Sequence, residues 1–389
     1  MSHKRNTTIL IAFPMSSWWE WLEGRRNRNY FLFEQMRYDA NIEKIIIIEP
    51  PALSWKRAIK NLLSWRRYSK EYTCIKSGLL YSIWQVDEKV FLVSLLWKIP
   101  INSVQYAKVI PHAVAECGKG DVSQIWSWNP FVETRWLKKA FPSAVMVFDA
   151  VDDWSAHPVY VRKREVLKKR YYEIHNSCDV IFTVSSELRH RYFHDHPHAY
   201  HIPNGVDCSV FDKARQETKK TPSPQAVYVG VIQERFDIGL VAECAKALPH
   251  VRFVIAGPVW KGIDLSALTR YENVILKGVV SYDMVPGLLA QSWVGIVPHT
   301  VDAFTQSMDP MKIYEYLAAG ISVVSTAVVP VNPSGSMVDI AQTKEEFVSY
   351  LQKRLDQARG VARDDECASR EYDWNKKYKK MIDFIAPLT

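Results

Sequence analysis

The sequence has few cysteines and no long apolar run, and each shortage excludes a class of protein. Its six cysteines are scattered over 389 residues, with no C-x-x-C pair and no histidine pair at zinc-finger spacing nearby. This pattern fits a reducing, cytosolic compartment. No apolar run approaches the roughly 18 residues of a membrane span, and the run from Ile9 to Phe13 is too short for a signal peptide. We therefore expect neither a spanning segment nor an obvious export signal.

The sequence also lacks internal repeats and low-complexity tracts. With 48% hydrophobic and 24% charged residues its composition is that of a globular protein, and its length favours two domains over one core. Strand-like apolar runs alternate with helix-like stretches, as in parallel sheets built from β-α-β units. The first series of predicted strands is 8–13, 44–48, 124–126, 144–148, 180–184 and 200–202, and the second is 226–229, 251–256, 274–277, 294–298 and 322–326.

A polar stretch at residues 205–224 separates the two series and is the predicted domain boundary. We therefore predict an α/β protein with two Rossmann-like, doubly wound parallel-sheet domains, residues 1–205 and 225–370. Ligands of such sheets lie beyond the carboxyl ends of the strands, so two of these domains facing each other enclose a cleft. The terminal segment 371–389 is a predicted helix that crosses back to the first domain or packs wholly on the second.

Positive charge is concentrated in the first half of the chain. Residues 1–200 hold 29 Lys and Arg against 20 Asp and Glu, a balance of +9, whereas residues 201–389 hold 21 against 22, a balance of −1. A basic half beside a neutral half indicates an anionic partner such as phospholipid headgroups, a polyanionic polymer or nucleic acid. The alternative is a well-solvated basic surface.

One segment of this basic half has the pattern of an interfacial helix. In residues 54–68 (SWKRAIKNLLSWRRY) apolar side chains recur at helical spacing and basic ones fill the remaining arc. Apolar area flanked by positive charge suits an anionic lipid surface, and packing on its own domain is the alternative. The same two interpretations apply to residues 161–172 (VRKREVLKKRYY). The residues expected at the membrane are Trp55, Arg57, Lys60, Trp65 and Arg66.

Residues 305–326 (TQSMDPMKIYEYLAAGISVVST) carry the most specific pattern in the chain. A loop of small and polar residues leads through Asp309 and Pro310 into a helix. Free N–H groups and the positive end of the helix dipole make the first turn an anion site, and Lys312 lies on that turn. Glu315 lies on the same face, where a carboxylate accepts hydrogen bonds from vicinal hydroxyls such as those of a ribose. The pattern predicts nucleotide binding, and the alternative is a solvent-facing Lys–Glu pair.

The stretch PMKIYEYLAAGISVVST resembles the donor-nucleotide helix of glycosyltransferases with the GT-B fold, a group that includes bacterial polysaccharide, lipid-linked sugar and teichuronic-acid glycosyltransferases. Further segments resemble this family in the expected order: TVSSELRHRYF with HIPNGVDCSVF, YVGVIQERFDIGLV, FVIAGP, and LKGVVSYDMVPGLLAQSWVGIVPH. The resemblance spans roughly residues 145–326 and is weaker over residues 1–140. It implies an acceptor-binding first domain, a donor-binding second domain, and transfer of a sugar from a nucleoside-diphosphate sugar.

For the donor site, the resemblance implies a role for each matching residue. Glu315 binds the ribose hydroxyls, Lys312 and Arg235 neutralise the diphosphate, and Tyr282 lies against the base. Such charge-assisted contacts stabilise the departing nucleoside diphosphate without a metal ion, so no metal or cofactor is expected. The family's E-x7-E pattern has a glutamate where this chain has Ser307. Ser307 is therefore the candidate donor-binding residue at this position, and the departure leaves the contact to the transferred sugar open.

Three aspartates are candidates for the catalytic base. Asp149, Asp152 and Asp153 (FDAVDDWSAH) follow a short apolar strand, so at least one is expected at its carboxyl end. A carboxylate there takes the proton from the acceptor hydroxyl as it attacks the anomeric carbon, a role also suggested by a resemblance to membrane-associated glucuronosyltransferases of the xanthan type. The alternatives are a helix N-cap and a buried hydrogen-bonding residue.

The segment after the first predicted strand is rich in tryptophan and arginine. Trp18, Trp19 and Trp21 are expected in a loop, and Arg25 begins the predicted helix that follows. In one interpretation Trp18 and Trp19 stack acceptor sugar rings while Arg25 meets an acceptor phosphate or carboxylate. In the other, the aromatic rings close the top of the core.

These patterns predict a hexosyl- or uronosyltransferase that moves a sugar from a UDP-sugar to a hydroxyl of a lipid-linked or growing cell-surface polysaccharide, as in cell-wall synthesis. The charge of the first half places it as a peripheral protein on the inner face of the plasma membrane. Two alternatives remain. A basic nucleic-acid-binding protein explains the charge but not the donor-like helix, and a GT-B-fold sugar-nucleotide epimerase explains the helix but differs in its chemistry.

Overall fold

The computed structural model describes residues 8–50, 55–78, 80–95, 103–118, 120–328, 337–359 and 370–388. The chain forms two compact units. The first comprises Met1–Ile202 with Tyr378–Thr389, and the second comprises Pro203–Lys377. Each unit is built around its own β-sheet.

The sheet of the first unit is parallel except at one edge. Its strands are β1 (Ile9–Phe13), β2 (Lys44–Ile48), β3 (Thr73–Ser77), β4 (Tyr81–Gln85), β5 (Val90–Leu95), β6 (Val122–Ser127), β7 (Val145–Ala150), β8 (Val180–Thr183) and β9 (Ala199–His201). Their order across the sheet is β3-β4-β5-β2-β1-β6-β7-β8-β9, and β4 runs antiparallel to both of its neighbours. The continuous apolar runs of β1 and β2 are fully buried but for the first residue of β2, as expected for central parallel strands.

The helices of the first unit are α1 (Trp18–Leu22), α2 (Arg28–Tyr38), α3 (Trp55–Glu71), α4 (Ser103–Glu116), α5 (Thr134–Ala140), α6 (Arg164–Ser177) and α7 (Ser186–Phe193), with a 3₁₀ helix at Pro158–Lys163. Two of them correct the sequence prediction. The tryptophan segment is the helix α1 and not a loop. The next helix begins at Arg28 and not at Arg25, because the side chain of Asn27 accepts a hydrogen bond from the backbone N–H of Tyr30 and caps it there.

The strands β3 to β5 are missing from the sequence prediction. β3 (TCIKS) is exposed along its whole length, so it has no apolar run to signal a strand. It forms an edge hairpin with β4, and β4 in turn pairs with β5. An exposed edge strand is specified by its neighbours more than by its own composition, which explains the omission of β3 but not that of the buried β4 and β5.

The sheet of the second unit is entirely parallel. Its strands are β10 (Gln225–Val229), β11 (Arg252–Ala256), β12 (Val274–Gly278), β13 (Val294–Val297), β14 (Ser322–Thr326) and β15 (Val338–Ala341), in the order β12-β11-β10-β13-β14-β15. The strand order reverses between β10 and β13, and this topological switch point is where such sheets bind ligands. The predicted α/β fold with two doubly wound sheets is therefore confirmed, although β15 was missed.

The helices of the second unit are α8 (Cys208–Glu217), α9 (Ile238–Ala247), α10 (Ser266–Thr269), α11 (Val285–Ala290), α12 (Met311–Ala318) and α13 (Lys344–Gln357). The terminal helix α14 (Trp374–Ile385) begins in this unit, where the backbone N–H of Trp374 donates to the carbonyl of Val206 at 3.1 Å. Further along, Tyr378 donates to Asp39 at 2.8 Å and Phe384 stacks on Tyr200. The later turns of α14 thus pack with the first unit.

Two glycines allow the chain to turn tightly after β10 and β11. Gly230 and Gly257 have φ angles of 153° and 145°, a region that side chains rarely adopt. The backbone of Gly257 passes so close to Gly230 that a Cβ added to Gly257 would lie 1.9 Å from the Gly230 carbonyl oxygen. A side chain at Gly257 would therefore push apart the two loops that follow the central strands.

Replacing Gly257 with alanine should destabilise the second unit by about 2 kcal/mol or more, because the new Cβ meets backbone that cannot move away. Gly262→Ala is the matched control: φ is 94° there too, but nothing lies within 4 Å of the added Cβ. The control should lose about 1 kcal/mol, the conformational cost alone. Urea unfolding of both variants makes the comparison, and equal losses would contradict the steric account.

Candidate functional site

The start of α12 is fixed in place by a buried carboxylate. Asp309 accepts hydrogen bonds from the backbone N–H of Asn204 at 2.5 Å and from the hydroxyl of Tyr314 at 2.7 Å. The side-chain amide of Asn204 donates in turn to the Asp309 carbonyl at 2.6 Å. These bonds join the segment that opens the second unit to the N-terminus of α12, so the free N–H groups of its first turn keep a fixed position.

Lys312 projects from that first turn beside the carboxyl end of β10. Its ammonium lies 5.1 Å from the ring centroid of Tyr228. A Cβ on Gly230 would lie 3.4 Å from the Lys312 Nζ atom, so the glycine leaves room for the ammonium. The lysine is partly buried, and burial together with the nearby positive charge of Arg235 lowers its pKa to about 7.

Arg235 approaches the same place from the loop between β10 and α9. Its carbonyl accepts from the backbone N–H of Thr300 at 2.8 Å, and Phe236 forms a β-bridge with His299. The loops that follow β10 and β13 are therefore joined at the switch point. One guanidinium nitrogen lies 3.4 Å from the sulfur of Met308, just before α12. Two cationic side chains thus converge on the start of one helix.

His299 is a further member of this group that the sequence interpretation missed. It is almost fully buried, and its Nε2 atom lies 3.4 Å from the hydroxyl of Tyr228. Burial, with the charges of Lys312 and Arg235, holds its pKa well below the ordinary value, so the imidazole is neutral. Its Nδ1 atom has no partner among the described residues. The only sequence signal was its place directly after the predicted strand 294–298.

Glu315 lies one turn beyond Lys312 and is buried, with 8% of its surface exposed. Its Oε1 atom accepts a hydrogen bond from the hydroxyl of Tyr282 at 3.1 Å. Burial raises the pKa of the carboxyl, while the bond from Tyr282 and the charge of Lys312 act in the opposite direction. The helix therefore presents cations at its start and a carboxylate with a phenol one turn later.

Ser307, in contrast, does not reach this group as a free hydroxyl. Its side chain is fully buried and donates to the carbonyl of Phe304 at 2.7 Å within the 3₁₀ turn Thr305–Ser307. The serine is part of the folded turn before α12, and its role in binding the donor stays a prediction.

Two of the three candidate base residues are held in buried ion pairs. Asp149, at the end of β7, accepts two hydrogen bonds from Arg28, at 2.7 and 3.0 Å, and a third from the indole of Trp128 at 2.7 Å. Asp153 binds Arg191 at 2.5 Å and also accepts from Ser155. Neither carboxylate is exposed to solvent.

In the structure Asp149 and Asp153 thus fit the structural alternative, and the assignment of a base among the three aspartates stays a prediction. Asp149 is a buried hydrogen-bonding residue. Asp153 accepts from the backbone N–H groups of Ser155 and Ala156, a local turn contact. Asp152 is the member of the trio whose side chain stays partly exposed.

Of the two tryptophans of α1 predicted to contact the acceptor, one is buried and the other is partly exposed. Trp18 is buried against Phe33 with an edge-to-face geometry, so it closes the core and is not a sugar platform. Trp19 is partly exposed, and the ammonium of Lys60 lies 4.9 Å from its ring centroid. Arg25 is exposed and bound to Glu20 at 2.9 Å. These positions keep Trp19 and Arg25 available as acceptor contacts.

In α3, the side chains of Trp55 and Arg57 lie outside the described residues. Trp65 is partly buried, with its ring centroid 6.2 Å from that of Trp84, so it packs at least partly on its own unit. Lys60 and Arg66 are exposed as predicted for a surface contact. No helix in the described part of the chain is long and apolar enough to cross a membrane.

The described residues bring no group of three His, Cys, Asp or Glu side chains together in a way that suits a metal ion. The convergent charges at α12 are instead those of lysine and arginine, which bind anions directly.

Comparisons with known proteins give the class of protein to which this site belongs. Residues 223–356 match the family model of the group 1 glycosyl transferases. Over 286 residues, 66% of this chain and 70% of the relative, the sequence is 24% identical to the teichuronic acid biosynthesis glycosyltransferase TuaH of Bacillus subtilis.

Solved structures agree over nearly the whole chain. Sucrose-phosphate synthase of Thermosynechococcus elongatus has a TM-score of 0.70 at 12% identity and covers 98% of this chain and 99% of its own. Anabaena HepE, in complex with UDP and glucose, has a TM-score of 0.64 at 12% identity and covers 98% of this chain and 100% of its own.

These findings show that the chain has the fold of the GT-B glycosyltransferases, as the sequence resemblance predicted. More narrowly, the part of the chain that is similar to the group 1 glycosyl transferases, residues 223–356, contains Arg235, Tyr282, His299, Lys312 and Glu315.

The buried pair of Arg28 and Asp149 generates a stability prediction. Asp149→Asn leaves the guanidinium buried without a counter-charge and should cost roughly 3–5 kcal/mol. Asp152→Asn, at the partly exposed neighbour, should stay within about 0.5 kcal/mol of wild type. Urea unfolding compares the two. If Asp149→Asn keeps wild-type stability and loses only turnover, Asp149 is restored as the candidate base.

Proposed function

We propose that this protein transfers a sugar from a UDP-sugar to a hydroxyl group of a lipid-linked or growing cell-surface polysaccharide. The observation that carries the proposal is the pairing of two cationic side chains, Lys312 and Arg235, with the N-terminus of α12, one turn before the buried carboxylate of Glu315. A nucleoside diphosphate has the matching order of groups, with an anionic diphosphate next to a ribose diol.

In this proposal Lys312, Arg235 and the first-turn N–H groups bind the diphosphate. Negative charge develops on the diphosphate as the bond to the sugar breaks, so these groups stabilise the departing UDP more than the intact donor. Two cations and a helix N-terminus supply that neutralisation from the protein itself, and the proposal therefore needs no metal ion.

Glu315 accepts hydrogen bonds from the ribose hydroxyls in its ionised form. Tyr282 donates to the Oε1 atom of this carboxylate in the free protein, which favours ionisation and fixes the side-chain position. The same tyrosine, at the loop after β12, offers an aromatic face to the base. Uracil is the base we propose, because HepE is known from complexes with UDP and UDP-glucose and the trehalose-phosphate synthase of Burkholderia xenovorans is described as UDP-forming.

For the acceptor half of the reaction we retain Asp152 as the candidate base. It follows the carboxyl end of β7, the edge of the sheet at which ligands bind, and its side chain is partly exposed. Trp19 and Arg25 are the candidate acceptor contacts for the same reasons of exposure and position.

The acceptor is proposed to be carried by a membrane. The +9 balance of residues 1–200 and the exposed basic side chains of α3 suit an anionic lipid surface. The name of the Bacillus relative, a teichuronic acid biosynthesis enzyme, suits a cell-surface polymer. We accordingly propose a peripheral protein on the inner face of the plasma membrane.

Replacing Lys312 or Glu315 with alanine should weaken UDP binding by roughly tenfold to a hundredfold, the value of one charge-assisted contact. Lys246→Ala, at an exposed lysine of α9, is the control and should bind as wild type. Isothermal titration calorimetry with UDP gives the affinities. Wild-type affinity in both site variants would exclude this donor site.

UDP affinity should also fall as pH rises. The free Lys312 ammonium has a pKa near 7 because burial and Arg235 disfavour its charge, and a bound diphosphate favours that charge and raises the pKa. Above pH 7 binding must therefore recruit a proton, and affinity should drop by up to about tenfold per pH unit.

Lys312→Arg is the control for this pH dependence, because a guanidinium stays charged throughout the range. UDP titrations between pH 7 and pH 9.5 should show a steep decline for wild type and a flat profile for the arginine variant. Parallel profiles would mean that Lys312 is not the group that takes up the proton.

A further inference from the structure

The helix α3 exposes two large apolar side chains. Ile59 and Leu63, one turn apart, are each 58% exposed. On the opposite side Asn61 and Ser64 are buried, and buried Tyr68 donates a hydrogen bond to Glu49 at 3.0 Å. A helix whose apolar residues all cover its own core would not expose these two side chains. The exposed face of α3 is therefore built for something other than the core.

Basic side chains surround this apolar pair. Lys60, Arg66, Arg67 and Lys70 are all exposed on α3. Arg67 is paired with Glu71 at 3.1 Å, whereas Arg66 forms no ion pair with any described residue. The face thus combines apolar area with net positive charge.

A second segment of the first unit, residues 158–169, also combines exposed apolar and exposed basic side chains. Val159, Val161 and Val166 are exposed by 60%, 55% and 54%, and no residue of the 3₁₀ helix Pro158–Lys163 is buried. The basic residues between and beside them are also exposed: Arg162, Lys163, Arg164, Lys168 and Lys169. The one acid in this stretch, Glu165, is paired with Lys168 at 3.0 Å.

The 3₁₀ segment is held in a defined position despite its exposure. The ring of Tyr160 lies between those of Phe131 and Trp154, at centroid distances of 5.4 and 5.8 Å. Arg164 donates through Nε to the carbonyl of Ser155 at 3.2 Å. These contacts hold the backbone that carries the exposed valines in a fixed position.

The two segments lie at the same edge of the sheet. Tyr68 and Tyr72 of the α3 end bind the backbone of Trp19 and the indole of Trp18, directly after β1. The 3₁₀ segment follows β7. Strands β1, β6 and β7 are parallel neighbours, so their carboxyl ends meet at one edge. Two apolar and basic segments therefore share the edge that carries the candidate acceptor residues.

We propose that this edge of the first unit docks on the anionic surface of a lipid bilayer through both segments, with Ile59, Leu63, Val159 and Val161 entering the headgroup region. The inference rests on the proposed membrane-borne acceptor and names the residues that reach it. It replaces Trp65, which packs on Trp84, as the apolar contact of α3.

A bilayer fits better than nucleic acid because the aliphatic side chains have no partner on a phosphate backbone. At an anionic bilayer they enter the headgroup layer while lysine and arginine reach the lipid phosphates. Because both segments contact the bilayer, the sheet edge that lies between them is held facing the membrane.

The experiment is co-sedimentation of the full chain with vesicles of phosphatidylglycerol and phosphatidylcholine. The Ile59→Ser/Leu63→Ser and Val159→Ser/Val161→Ser pairs each remove apolar area without changing charge, and each should weaken binding roughly tenfold. Combining the pairs should abolish it. The control Val210→Ser, at a valine 40% exposed on α8 of the second unit, should bind as wild type.

Vesicles of phosphatidylcholine alone should bind none of these proteins, and raised salt should weaken binding to the anionic vesicles. UDP affinity, measured on the same samples, should be unchanged in every variant, which separates this inference from the donor site and reports an intact fold. Wild-type vesicle binding in the combined variant overturns the inference and leaves the proposed function standing. Salt-dependent retention of wild type by duplex DNA, with no vesicle binding, overturns it in favour of a nucleic-acid partner.

Discussion

The candidate donor site depends on one unfavourable interaction, the placement of two positive charges close together at the start of a helix. Lys312 and Arg235 approach the N-terminus of α12, whose own dipole is positive there. Burial, together with the positive charge of Arg235, lowers the pKa of Lys312 to about 7. A site of this kind is at its most stable when an anion occupies it, so the free protein is poised to bind one.

The surrounding residues hold these charges together against their repulsion. Asp309 accepts hydrogen bonds from Asn204, in the segment that opens the second unit, and from Tyr314 of α12, and so holds the helix in place. Gly230 leaves space for the lysine, and neutral His299 packs beneath with Tyr228. None of these groups places a carboxylate against Lys312. The nearest one, Glu315, lies a turn away and is engaged by Tyr282, so the positive charge is left for the ligand.

The sequence predicted the parts of this arrangement that depend on local pattern. The helix at Met311 and the central strands follow from apolar runs and helix spacing, and the structure has them within a few residues. It did not predict contacts between distant segments. Nothing in FDAVDDW shows that Asp149 meets Arg28, 121 positions away. In that ion pair both side chains are buried, so neither is exposed to a substrate as the sequence suggested. His299 was missed for the same reason, since its partners come from other loops.

The prediction for the amphipathic helix α3 was incomplete for a different reason. Spacing correctly predicted a helix at α3, but it did not show which face packs, because both faces carry apolar residues. In the structure the face with Asn61, Ser64 and Tyr68 packs on the first unit, where the hydroxyl of Tyr68 donates a hydrogen bond to Glu49. Ile59 and Leu63 are exposed to solvent. The hydrogen bond between Tyr68 and Glu49 favours this orientation of the helix, which the apolar spacing alone did not specify.

The most direct test of the charge-based account is the pKa of the Lys312 ammonium itself, measured by NMR with labelled lysine side chains and assigned with the Lys312→Arg variant. The account predicts a value near 7 in the free protein and a rise of at least about two units when UDP is bound, since a nearby dianion favours the ammonium form. A value near 10.5 that UDP leaves unchanged would contradict it.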